Sequence, residues 1–387
     1  MSEERSPVPY IPGLAGVPCA QSAVSFIDGQ VGLLEYRGYR IEELSERSTF
    51  EETAYLLWFG ELPTKKQLER FRHDLTRHRR LKYKVIDLLK CLPDSGHPMD
   101  ALDCAVAALG MFYPADHVED EKERYHAAVR ILAKVPTIVA AYHRLRTGDE
   151  AITPRDDLDF SSNYLYMMNG VEPDPHLAEV LDKCLILHAE HTMNASTFAA
   201  RVTASTLADP YSVVSSAIGT LTGPLHGGAN EEVLHMLREI KTVDAVRPWA
   251  TERVAAKKKV SGFGHREYKV KDPRANVLQK LAIELFDRFG HTPMYQVAIE
   301  LEKVMAELVG HKGVYPNVDY YSGIVYSKMD IPTDLFTPIF AISRTAGWLA
   351  HWLEQIKDNR IFRPTQVYTG VRERKYRSLS ERKVEEK

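Results

Sequence analysis

The sequence predicts a mainly α-helical protein with one small N-terminal β-hairpin. Three observations carry that prediction. Apolar residues recur at helical spacing through most of the chain, many of those segments open at recognisable caps, and only one stretch, near residue 30, looks like paired strands. Of 387 residues, 44% are hydrophobic and 27% charged, ordinary proportions for a globular enzyme with a sizeable core.

The strand signal is Val24-Ser25-Phe26-Ile27 and Val31-Gly32-Leu33-Leu34, flanking Asp28-Gly29, a dipeptide suited to a hairpin turn. Ser48-x-x-Glu51 and Thr64-x-x-Gln67 have the form of capping boxes. The first opens a helix whose buried face is Phe50, Ala54, Tyr55, Leu57 and Trp58, with Gly60 ending it. The second opens a helix over 65–79. Residues 98–112 are apolar nearly all round, which predicts a core helix. From 119 to 147 the spacing stays helical across Pro136, so a kink or a break is expected there.

Helices follow at 175–193, 195–207 and 210–222, then at 231–240 with Asn230 as its cap. Asp272-Pro273 and Thr292-Pro293 place a cap before a proline at the first helical position, for helices reaching Phe289 and Gly310. A further apolar helix covers 335–353. The last seventeen residues mix both charges and predict a solvated tail.

A net charge of −3 gives no reason to expect nucleic acid or an anionic membrane as partner. The polar start, Met-Ser-Glu-Glu-Arg-Ser-Pro, is not a secretory signal, and no apolar run approaches the roughly 18–20 residues that span a bilayer. A soluble, cytoplasmic protein is expected. Cys19, Cys91, Cys104 and Cys184 lie far apart, without a Cys-x-x-Cys pair, which fits reduced thiols rather than a zinc ribbon or thioredoxin motif. Asn194-Ala195-Ser196 matches a glycosylation acceptor only by chance in such a protein.

Three islands concentrate the reactive side chains: Gly-Pro-Leu-His-Gly-Gly-Ala-Asn (223–230), Gly-Phe-Gly-His-Arg-Glu-Tyr-Lys-Val-Lys-Asp-Pro-Arg (262–274) and Pro-Asn-Val-Asp-Tyr-Tyr-Ser-Gly (316–323). Two histidines and a carboxylate are groups that move protons at neutral pH. A neutral His226 beside a helix start can hydrogen-bond an enolate or oxyanion. On that motif alone, a histidine that fills a turn fits equally well. Asp319 is a base if burial raises its pKa, and a turn or capping residue otherwise.

His265 stands in a basic stretch with Lys257, Lys258, Lys259, Arg266, Lys269, Lys271 and Arg274. A solvated face is the usual explanation of such a run. Here Gly262 and Gly264 interrupt it, and exposed backbone N–H groups beside lysines suit phosphates, as in a nucleotide-bearing ligand such as coenzyme A. It is not a dinucleotide fingerprint, because the third glycine is missing.

His188 and His191 share a helix face at a spacing that permits metal ligation, yet the Pro-Cys-x-x-Cys half of a zinc-deaminase signature is absent. Arg344 interrupts the apolar helix Phe336–Leu353, where an unpaired charge is costly, so it needs an anion. With Arg274 and Arg363 it makes three arginines for the carboxylates of a small polyanion.

These residues and their surroundings resemble the citrate synthase family nearly end to end. The resemblance runs through Gly-Leu-Leu-Glu-Tyr-Arg-Gly-Tyr (32–39), Gly-Glu-Leu-Pro-Thr (60–64) and His188-Ala-Glu-His191-x-x-Asn194-Ala-Ser-Thr197. The three islands follow in order, then Arg344 before Gly347-Trp348-Leu-Ala-His351, and Arg363-Pro364-Thr-Gln-Val-Tyr-Thr-Gly370.

The resemblance implies a two-domain helical fold, with a large domain of 1–225 plus 331–387 and a small one of 226–330 that closes over it. It implies condensation of acetyl-CoA with oxaloacetate, followed by hydrolysis of citryl-CoA. Asp319 would remove a methyl proton, His226 would hydrogen-bond the thioester oxygen, and His265 would protonate the oxaloacetate carbonyl. His191, Arg274 and Arg344 would hold oxaloacetate together with His226 and His265. Arg363 would complete the neighbouring subunit's site in a homodimer. Lys258, Lys259, Val260, Ser261, Gly262, Phe263, Gly264 and Arg266 would bind coenzyme A, which is a co-substrate, with no tightly bound cofactor and no metal.

The sequence departs from the family pattern twice: Glu190 stands where many relatives have aspartate, and Tyr320 where phenylalanine is common. The chain begins almost directly at Gly13–Gly16, so regulation through the N-terminal module of longer, NADH-regulated relatives is not expected. A 2-methylcitrate synthase using propionyl-CoA is the nearest alternative, since one methylene is worth only about 1–3 kcal/mol in a pocket. A catalytically silent scaffold is the alternative of another class, and intact His226, His265 and Asp319 argue against it.

Overall fold

A computed structural model describes residues 10–115 and 117–382. Sixteen α-helices and one small antiparallel sheet make up its regular structure, with a few short 3₁₀ turns. The chain divides into two units. One takes the two ends, up to Gln21 and from Phe362; the other is Ser22–Ile361. In the first, a 3₁₀ turn covers Pro12–Leu14, and a second, Leu379–Glu381, is capped reciprocally by Ser378 and Glu381. Its residues from Val371 to Arg382 are exposed, as expected of a solvated tail.

The second unit is built around the helix Phe336–Lys357. Every residue from Phe336 to Trp352 is buried, because the helices Phe50–Phe59, Pro98–Phe112, Glu121–Arg146, Pro175–His188, Ala195–Ser205 and Pro210–Leu221 all pack on it. Burial on every side explains why this segment shows no polar face. The helices Ala229–Ile240, Val243–Ala255, Pro273–Phe289, Pro293–Val309 and Val318–Lys328 pack chiefly on one another. Pro273–Phe289 also touches Ile41–Arg47 and Pro175–His188. Among the described residues, no helix is long and apolar enough to cross a membrane.

Local cap chemistry sets many of the boundaries. Thr64 and Gln67 form the expected capping box, and Gly60 ends Phe50–Phe59 in the left-handed region at φ 89°. Asp272 accepts from the Arg274 N–H and Thr292 from the Tyr295 N–H, opening Pro273–Phe289 and Pro293–Val309. The core helix Pro98–Phe112 has the expected bounds.

Several expectations are corrected. The cap before Phe50 is Thr49, whose hydroxyl accepts from the Glu52 N–H; Glu51 is instead buried and lies 3.3 Å from Arg72. Asn230 is no cap. It lies inside Ala229–Ile240, which starts after Gly228, and it is buried with its Nδ2 unpartnered among the described residues. The break allowed for at Pro136 does not occur. Glu121–Arg146 runs through it, and all residues from Ile131 to Tyr142 are buried, so packing outweighs a proline cost of about 3 kcal/mol.

The hairpin is also displaced. β1 (Ser25–Asp28) pairs with β2 (Leu33–Tyr36), Asp28 opposite Leu33, and β2 pairs with a short β3 (Tyr39–Arg40). Residues 29–32 therefore form the turn. Asp28 does not start a two-residue turn; its Oδ1 accepts the Gln30 N–H at 2.9 Å inside a longer one.

Candidate active site

The second and third islands are physically joined. Phe263 and Pro316 form an antiparallel bridge: the Gly264 N–H donates to the Tyr315 carbonyl and the Asn317 N–H to the Gly262 carbonyl, each at 2.8 Å. Asn317 adds its Nδ2–H to the Gly264 carbonyl at 2.9 Å, while its Oδ1 caps Val318–Lys328 through the Asp319 N–H. The Phe263 and Tyr320 rings meet edge-on with centroids 4.9 Å apart. Gly262, at φ 78°, has no room for a side chain, since a Cβ would come within 2.9 Å of Tyr320 and 2.8 Å of Val233. The loop 257–266 and Asp319 are thus one piece, with Lys258, Lys259 and Arg266 exposed and Val260 and Gly262 buried.

Asp319 is the second residue of its helix and is half-buried, with no hydrogen bond to its carboxylate among the described residues. Removal from water raises its pKa to about 6, against the pull of Arg274, Lys259 and Arg344. A carboxylate poised near neutrality can take a proton at physiological pH.

The two site histidines are held in opposite tautomers. His226 Nε2 accepts the Ser196 N–H at 3.2 Å and lies 2.8 Å from the Ser196 hydroxyl. A backbone N–H only donates, so this assigns the ring proton to Nδ1. The helix start that engages His226 is that of Ala195–Ser205, not that of the helix following it in sequence. His265 Nδ1 accepts the Glu267 and Tyr268 N–H groups at 3.0 and 3.3 Å, which assigns its proton to Nε2. Burial, with Arg344 near His226 and Arg274 near His265, lowers both pKa values to about 4. Both rings are neutral donors at pH 7.

His191, Tyr268 and His265 form one cluster, with His191 Nε2 3.1 Å from the Tyr268 hydroxyl and the two imidazole centroids 5.2 Å apart. Burial, helped by Arg274 and His265, keeps His191 well below the usual histidine range. His188 belongs to a different environment. It donates Nδ1–H to the Cys184 carbonyl at 2.8 Å and packs edge-on against Phe340. The pair does not share a ligand position, and among the described residues no group of three or more His, Cys, Asp or Glu could hold a metal.

The three arginines differ sharply. Arg344 is buried, donates Nε–H to the His188 carbonyl at 2.7 Å and lies over the Phe340 ring, but makes no ion pair among the described residues. Burial lowers its pKa to about 10, against the pull of nearby Glu190, so it stays charged. Arg274 is already compensated: its guanidinium forks onto Asp272 at 3.0 and 2.8 Å, with both residues buried. Arg363 belongs to the other unit, is exposed and donates to the Pro364 carbonyl.

Tyr268, Asp272, Ser196 and Asn317 are site residues the sequence reading did not single out. Tyr268 and Asp272 lie in the same motif as His265, and Asn317 just before Asp319. Their partners come from elsewhere in the chain or from the motif's own folding, which spacing does not display. Glu190, noted as a departure, is fully buried, paired with His351 at 3.1 Å and hydrogen-bonded by the Ser25 hydroxyl. It supports the turn that carries His191.

Comparison with known proteins follows the same lines. The family described as "Citrate synthase, C-terminal domain" matches residues 13–365. A citrate synthase from Synechocystis sp. is 60% identical over 96% of this chain and 94% of its own length. One from Acidithiobacillus ferridurans is 51% identical over 96% and 98%. The crystal structure of the Pyrobaculum aerophilum citrate synthase superposes with a TM-score of 0.91 at 42% identity, covering 98% of this chain and 97% of that one. A citrate synthase from Thermoplasma acidophilum, in ternary complex with carboxymethyl coenzyme A and oxaloacetate, superposes with a TM-score of 0.89 at 32% identity over 95% and 98%.

Proposed function

The chain belongs to the citrate synthase family, and we propose that it joins the acetyl group of acetyl-CoA to oxaloacetate and hydrolyses the resulting citryl-CoA. The observation that carries this reading is Asp319: a carboxylate without a hydrogen-bond partner among the described residues, with its pKa at about 6, on the helix that follows the bridge to the glycine–lysine loop.

The thioester methyl group is a very weak acid, so its proton leaves only if the enolate is stabilised as it forms. Asp319 takes that proton. His226 donates Nδ1–H to the thioester oxygen, a fixed neutral donor of the kind whose removal costs roughly 2.7–4 kcal/mol elsewhere. The enolate carbon attacks the oxaloacetate carbonyl, whose oxygen receives the proton from His265 Nε2, and the proton taken up by Asp319 is returned to His265 through solvent. Water then cleaves the thioester, releasing coenzyme A and citrate. Holding both substrates in line contributes about 7–11 kcal/mol of effective molarity.

Arg344, buried and without a direct ion pair among the described residues, supplies positive charge for the oxaloacetate carboxylates, with Arg274 and His191 beside it. Lys258, Lys259, Ser261, Gly264 and Arg266 are in reach of coenzyme A, while Val260, Gly262 and Phe263 shape the loop. We further propose that 226–330 moves as a small domain, that Arg363 enters the neighbouring site of a homodimer, and that the enzyme acts in the cytoplasm.

The test is coenzyme A release with oxaloacetate and either acetyl-CoA or propionyl-CoA. Acetyl-CoA should be the better substrate, and Asp319→Ala should abolish turnover. A faster rate with propionyl-CoA, or retained activity in the variant, would overturn the assignment.

A further inference from the structure

The turn 29–32 between β1 and β2 lies directly on the segment that holds His265. Lys269 donates its N–H to the Gly29 carbonyl at 2.8 Å. Gly29 has no space for a side chain: a Cβ there would collide with the Glu267 carbonyl oxygen, come within 2.6 Å of its carbon and 3.3 Å of the Tyr268 nitrogen. Those three atoms are one peptide unit. Its N–H, that of Tyr268, is one of the two donors to His265 Nδ1. The peptide that fixes the tautomer of His265 is therefore packed against Gly29, and the next amide is hydrogen-bonded to it. Further along the turn, a Cβ on Gly32 would come within 2.8 Å of the Val270 side chain.

The base of the same hairpin is tied to the other side of the site. The Ser25 hydroxyl donates to Glu190 at 3.1 Å and accepts the Thr192 N–H at 3.2 Å, on both flanks of His191. The Tyr36 hydroxyl donates to the Glu190 carbonyl at 2.8 Å. One short ribbon thus spans from the turn carrying His191 to the peptide orienting His265.

We propose that the 28–32 turn is a latch that seats His265 against the oxaloacetate pocket, with Gly29 as the positioning residue. Only glycine lets the two backbones come this close. The latch acts on the orientation of His265 and touches no substrate itself. Its kinetic readout rests on the condensation proposed above, whereas its amide-exchange readout does not.

The experiment compares the full-length wild type with Gly29→Ala and, as a control, Gln30→Ala, whose side chain is exposed. Coenzyme A release, thermal unfolding and backbone amide exchange over 265–271 are measured on each. A displacement near 1 Å at a catalytic group costs on the order of a hundredfold, so Gly29→Ala should lose about 10–100-fold in kcat/KM. Its unfolding temperature should change by only a few degrees, and the Lys269 amide should exchange faster. Gln30→Ala should match wild type in all three. Wild-type kinetics in Gly29→Ala would overturn the latch. If that variant fails to fold, exchange in the wild type decides: a Lys269 amide as fast as an unprotected one overturns the proposal, and a protected one supports it. If the wild type releases no coenzyme A, the functional assignment falls, and exchange at Lys269 still tests the latch.

Discussion

Replacing Asp319 with Asn keeps the side-chain shape and removes the charge, which separates what this residue does for catalysis from what it costs the fold. Removal from water raises the carboxyl from its ordinary 3.8 to about 6, after the opposing pull of Arg274, Lys259 and Arg344. A shift of about two units, at roughly 1.36 kcal/mol each, makes the ionised form about 3 kcal/mol unfavourable in the native state. A raised folded pKa means that protonated Asp319 supports the fold below about pH 4, and that this support is lost as pH climbs through about 6. Asn never ionises, so the variant's advantage should grow across this window, reaching roughly half its full size at pH 5 and nearly all of it by pH 8. At an unfolding entropy of about 2.1 cal/mol/K per residue, a chain of 387 residues would show it as a rise of roughly 4 °C. Thermal unfolding of both proteins at pH 5 and pH 8, with coenzyme A release measured alongside, tests this. Asp319→Asn should be inactive and, at pH 8, more stable than wild type. An increment missing at pH 8, or equal at both pH values, would refute the reasoning, because the carboxyl would then not be held away from water.

Two further outcomes follow from the same geometry. The acid limb of kcat/KM should follow a single ionisation near pH 6, because His226 and His265, lowered to about 4, stay neutral through that range; a two-proton slope between pH 5 and 6 in the rate profile would count against it. Gly262→Ala should destabilise the protein by about 2–4 kcal/mol in denaturant unfolding, from left-handed strain and crowding against Tyr320 and Val233 together, and should raise KM for acetyl-CoA.

Helices whose ends are set by neighbours in sequence were legible in advance. Thr64, Asp272 and Thr292 cap where expected, because a cap and the N–H groups it serves lie within a few residues of each other. The break allowed for at Pro136 is absent for the opposite reason: the proline's cost is local, while the burial that outweighs it comes from helices distant in sequence. Asn230 looked like a cap by composition, yet the helix begins two residues earlier than expected, at Ala229, and takes it inside. In the site, the residue types were readable and their partners were not. Nothing in the spacing shows that Asp272 occupies Arg274, that Ser196 fixes the His226 tautomer, or that a bridge ties residues 262–264 to 315–317. Each is a meeting of segments brought together by the fold.

That bridge has a consequence for how the reacting groups are anchored. Under the proposed reaction, the loop that receives coenzyme A and the base that deprotonates its thioester are welded together, so Asp319 travels with the coenzyme. The donor that must meet the thioester oxygen is moored elsewhere, to Ser196 at the head of Ala195–Ser205. The base and the oxygen donor of that reaction are thus held by different contacts, Asp319 through the bridge and His226 through Ser196.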